Sequence, residues 1–115
     1  MVKAAWGTRA PLDRALHGEF LRQFPTRASR AGLWGFVRAL LDEGASLGPE
    51  AARLAATGVP TTVVWGSADS VVKPLHLARW REVLPGARVV ELADVGHFPQ
   101  LEAPGDVAAA IVRAG

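Results

Sequence analysis

The sequence predicts an α/β fold: two parallel strands with flanking helices in residues 58–115, preceded by a helical segment in residues 1–57. Three observations predict it. TTVVWG (61–66) and RVVELA (88–93) are short β-branched runs bounded by turn formers, the pattern of buried strands. PLHLARWREVL (74–84) lies between them and reads as a helix, so strand, helix, strand and helix alternate as in a βαβ unit. The first 57 residues instead repeat apolar residues at helical spacing.

Taken in order, PLDRALHGEFLRQF (11–24) places Leu12, Leu16, Phe20 and Phe24 on one stripe of a helix. Pro11 suits its first turn, Gly18 weakens its middle and Pro25 ends it. A second helix starts near Thr26 or Ser29, either able to cap it, presents Leu33, Phe36, Val37, Leu40 and Leu41, and stops at Gly44. PEAARLAAT (49–57) is a third, closed by Gly58. After the first strand and its helix, Pro85-Gly86 breaks the chain before the second strand, and DVAAAIVRA (106–114) is a terminal helix. Trp34 is expected to be buried in helix packing or to line a pocket. Trp65, at a strand end, belongs to the core or a pocket floor.

Composition excludes several classes. Hydrophobic residues make up 50% of the 115, too many for a disordered chain. There is no cysteine, so neither disulfides nor thiolate metal sites contribute, and His17, His76 and His97 do not fall at metal-ligand spacing. No metal or organic cofactor is implied. Basic residues number thirteen against eleven acidic. Arg22, Arg27 and Arg30 are the nearest approach to a basic patch and read as a solvated helix face, so no nucleic-acid partner is expected. No apolar run is long enough to span a membrane, and the N-terminus lacks a signal-peptide core, so no membrane partner is expected and the cytoplasm is the default compartment.

The chemistry sits in two turns, each following a predicted strand. GSADSVVKP places Asp69 three residues beyond Gly66, and DVGHFPQLEAP places His97 behind Gly96. Ligands of open α/β sheets bind outside the carboxyl ends of strands. If the crossover makes these strands neighbours, Asp69 and His97 share one edge, where a carboxylate can hold an imidazole N–H and stabilise the imidazolium. Taken singly, Asp69 is also a turn-closing residue and His97 a loop histidine. Asp94 is the nearest rival acid, while His17 and His76 read as surface residues on helices.

VPTTVVWGSADSVVKP resembles the acid-bearing strand and loop of the α/β-hydrolase superfamily, and LPGARVVELADVGHFPQLEAP resembles its histidine strand and loop. The resemblance covers residues 58–115 and implies the C-terminal part of that fold, with Asp69 as triad acid and His97 as general base. Residues 1–57 resemble the helical cap of the superfamily, and FPTRASRAGLWGF is similar to the cap of haloalkane dehalogenase-like members. The implied function is hydrolysis of a small organic substrate, an ester or related bond. Dehalogenase-like or epoxide hydrolase-like chemistry and a non-catalytic interaction module are the alternatives.

The nucleophile of that superfamily sits in an elbow, commonly G-x-S-x-G, between a buried strand and a helix. Gly44-Ala45-Ser46-Leu47-Gly48 matches the letters, but the preceding VRALLDE is charged and helical. Ser46 is therefore expected in a loop after a helix, away from His97. Nothing in residues 1–57 resembles the oxyanion loop either. The expectation is a chain that begins inside the cap of a longer ancestor, lacks the nucleophile half and has little activity alone. Two strands do not make a stable sheet, so it should associate with an N-terminal hydrolase segment or with itself.

Overall fold

The computed structural model describes residues 2–43 and 48–113. Ser46 lies outside the described residues. Among the described residues, four helices precede the first strand: α1 (Val2–Ala5), α2 (Arg14–Arg22), α3 (Arg27–Glu43) and α4 (Gly48–Ala56). Asp13 sets the start of α2. It is extended at ψ 139°, and its side chain accepts a hydrogen bond from the Leu16 amide at 2.9 Å. That carboxylate satisfies an otherwise unpaired first-turn N–H, so the helix begins after Asp13 and Pro11 stays outside it, contrary to its expected first-turn place. Leu12, Leu16, Phe20 and Phe24 are all half-buried, as their stripe requires.

Thr26 and Ser29 both act at the start of α3. The Thr26 hydroxyl accepts from the Ser29 amide, and the Ser29 hydroxyl accepts from the Thr26 amide, each at 3.1 Å. This is a reciprocal capping box, with Thr26 as the cap. Helix α4 ends where Gly58 turns at φ +68°, a left-handed conformation that costs glycine little.

The sheet has two parallel strands, β1 (Thr62–Gly66) and β2 (Arg88–Leu92), in register from Thr62 opposite Arg88 to Gly66 opposite Leu92. Helix α5 (Pro74–Val83), with Pro74 in its first turn, is the crossover. Two helices follow β2: α6 (Pro99–Glu102) and α7 (Pro104–Val112). The terminal helix therefore starts two residues before the expected Asp106. Pro104 fits the first turn, where a missing N–H costs nothing.

Leu92, Val95 and Ala103 form the buried centre, with Val64, Val90 and Val107 against it. Helices α6 and α7 both contact β1, and α5 contacts α4. Trp34 does not pack as expected. It is 57% exposed, as Phe36 on the same helix is largely exposed, because among the described residues α3 does not lay that face on this small core. Trp65 is half-buried, and its indole N–H is buried without a hydrogen-bond partner among the described residues. No described helix is long and apolar enough to cross a membrane.

Candidate active site

The loops after β1 and β2 meet at one edge of the sheet. Backbone bonds stitch them together: Ser67 N–H donates to Leu92 O at 2.9 Å and Ala68 N–H to Val95 O at 2.8 Å. The Asp69 amide closes the first turn onto Gly66 O at 3.2 Å. Its carboxylate is then divided. Oδ1 accepts from the amides of Val71 (2.8 Å) and Val72 (2.9 Å). Oδ2 lies 2.9 Å from Nδ1 of His97. Asp69 is thus both a turn-closing residue and the partner of the imidazole, so the two readings of the sequence coincide in one side chain.

The Asp69 side chain is 9% exposed and that of His97 34%. An ionised carboxylate only accepts, so Nδ1 of His97 carries the hydrogen and Nε2 keeps its lone pair for an incoming proton. The arrangement can orient a base and stabilise its charged form. Among the described residues, no hydroxyl hydrogen-bonds the His97 ring.

Asp94 has a different task. Its backbone is left-handed at φ 61°, its carbonyl accepts from the amides of Thr8 (2.8 Å) and Arg9 (2.9 Å), and its amide donates to Ser67 Oγ at 3.0 Å. It shapes the turn and does not reach His97 by any hydrogen bond. His76 is exposed on α5, as expected. His17 is instead half-buried and lines a cleft of about 360 Å³ with Lys3, Trp6, Gly7, Leu12 and Arg14. Neither member of the Asp69–His97 pair lines that cleft.

Two features of the site were missed in the sequence. Residues 4–9 cross the histidine loop. The His97 amide donates to Ala5 O at 2.7 Å, and Ser70 Oγ donates to Ala4 O at 2.6 Å. Gly7 and Gly96 meet so closely that a Cβ on either would overlap backbone atoms of the other's segment. The second feature is Glu102, buried at 5% exposure. Its Oε2 accepts from the Gly7 and Gly96 amides, both at 2.8 Å, and its Oε1 from the Phe98 amide at 3.2 Å. The Leu-Glu-x-Pro stretch pointed to the place without indicating the role. Around these residues Phe98 gathers three rings, with centroids 5.2 Å from His97, 5.3 Å from Phe20 and 6.2 Å from Trp6.

Residues 8–104, spanning both strands and both loops, match the family described as the alpha/beta hydrolase fold. The chain belongs to the α/β-hydrolase family. Its two parallel strands and flanking helices are a partial version of that fold. Relatives of this α/β-hydrolase chain include "Lipase 3" of Moraxella sp. (strain TA144), 44% identical over 55 residues, which cover 48% of the chain and 18% of the lipase. "Lipase 1" of Psychrobacter immobilis is 40% identical over 50 residues, covering 44% and 16% respectively. "Cis-3-alkyl-4-alkyloxetan-2-one decarboxylase" of Shewanella oneidensis is 31% identical over 111 residues, covering 86% of the chain and 33% of the decarboxylase. The chain therefore spans a third or less of the length of these relatives.

Proposed function

We propose that this chain supplies the acid and base of an α/β-hydrolase that cleaves an ester or related bond in a small organic substrate. The Asp69–His97 hydrogen bond carries the reading. His97 Nε2 takes the proton of the nucleophile or of the hydrolytic water, and Asp69 orients the ring and stabilises the imidazolium. The nucleophile comes from elsewhere than residues 58–113, because β1 leads into the acid loop and β2 into the histidine loop, and neither ends in a nucleophile elbow. The helical residues before position 58 act as a cap, and residues 5–9 latch onto the histidine loop. The partner is an N-terminal hydrolase segment carrying the elbow and the oxyanion donors.

The test joins the chain to such a segment and follows p-nitrophenyl ester turnover. Turnover should appear with the intact chain and fall by orders of magnitude with His97→Ala. Equal turnover in both would end the proposal, and no turnover in either would favour a non-catalytic module.

One observation favours a second reading. The decarboxylase match runs through the helical half as well as the core, whereas the Lipase 3 match covers only 55 residues. A disubstituted four-membered lactone ring belongs in the same assay. Release of carbon dioxide without ester cleavage would select the decarboxylase reading.

A further inference from the structure

Glu102 stands outside the hydrogen bond that defines the dyad, yet it brackets the histidine. Its carboxylate holds the amide of the residue before His97 and the amide of the residue after it: Gly96 at 2.8 Å and Phe98 at 3.2 Å. The amide of His97 itself goes to Ala5 O at 2.7 Å. Ala5 belongs to the segment that the same carboxylate grips through the Gly7 amide at 2.8 Å. Three consecutive amides, 96 to 98, are thus fixed either by Glu102 or by a segment Glu102 holds. The side chain does this across 95 positions of sequence and at 5% exposure.

We propose that Glu102 is a positioning residue for His97, locking the N-terminal segment and the histidine loop into one unit so that the imidazole stays in line with Asp69. The proposal builds on the role suggested above for His97 and adds the group that aims it. A carboxylate suits the task because it only accepts, and its two oxygens can take three N–H donors. Glutamine has the same shape but would turn an NH₂ group toward at least one of those donors. The glycines belong to the same device, since a Cβ at position 7 or 96 would enter the backbone of the facing segment.

The experiment uses the intact 115-residue chain, and its readout is independent of turnover. With ¹⁵N-labelled histidine, the His97 Nδ1–H proton should appear as a resolved downfield resonance while bonded to Asp69. Glu102→Gln should reduce that signal at least tenfold and speed exchange of the 96 and 98 amides at least tenfold, with helical circular dichroism retained. Val107→Ala, which trims the apolar core next to the loop, is the control for lost stability alone. It should keep the His97 signal. Full signal in Glu102→Gln, or equal loss in Val107→Ala, overturns the proposal. Should Glu102→Gln fail to fold, the wild type decides: the Gly7 and Gly96 amides must exchange with one shared opening rate, and two separate rates overturn it. Failure of the catalytic reading would show instead as ester turnover insensitive to His97→Ala, with these signals unchanged.

Discussion

Replacing Asp69 with asparagine should reverse the tautomer of His97 while leaving the loop in place. The amide side chain keeps one oxygen and gains one NH₂. Oδ1 of Asp69 receives two backbone amides, from Val71 and Val72, whereas Oδ2 receives the single imidazole nitrogen. Turning the NH₂ toward the backbone would leave two donors facing donors, at about 1 kcal/mol each where one of them is near solvent, or about 2 kcal/mol together. That difference is roughly a thirtyfold preference for keeping the oxygen on the backbone. The NH₂ then faces Nδ1 of His97, which must accept, and the ring proton moves to Nε2. A base protonated at Nε2 cannot take a proton there, so activity in the reconstituted enzyme should fall by about 10⁴-fold. The assay is the pair of imidazole ¹⁵N shifts, which separate the two neutral tautomers. Asp69→Asn with an unchanged Nδ1–H population would refute the reasoning, as would unfolding of the 66–72 turn seen in its amide exchange.

Asp94→Asn should leave the His97 tautomer and signal as in the wild type, because Asp94 serves the fold through its backbone; a change equal to that of Asp69→Asn would make it the acid. Gly7→Ala should cost about 3 kcal/mol or more in urea unfolding, since the new methyl meets the Asp94 carbonyl and the Gly96 amide rather than a side chain that can yield. Arg9→Ala should cost no more than about 1 kcal/mol, because its ion pair with Asp106 is over 40% exposed on both sides. Sedimentation of the purified chain should show self-association, which a matching hydrolase segment suppresses, since Trp34, Phe36, Leu75 and Ile111 are all exposed; a sharp monomer alone would count against this.

What could be read along the chain was whatever depends on near neighbours. The β-branched runs at 61–66 and 88–93, the helix between them and a cap at Thr26 or Ser29 all follow from spacing and turn chemistry, and they return as β1, β2, α5 and the start of α3, where the two hydroxyls act together. The turns after the strands then put Asp69 and His97 at one edge, because parallel neighbours present the same ends. Even locally, competition misled the reading at Pro11, where the Asp13 side chain captures the first-turn amide and takes over the helix start.

Tertiary structure alone decided how the histidine loop is held. Glu102 lies within the histidine-loop stretch DVGHFPQLEAP, yet nothing in its neighbourhood signals that Gly7, 95 positions earlier, will come within 2.8 Å. Trp34 reads as buried in helix packing or lining a pocket, yet burial needs a facing surface, and the described residues place none there. Periodicity reports which side of an element avoids water. It carries no information about which distant backbone amide will need an acceptor once two segments close on each other, and that need is what fixes Glu102 beside His97.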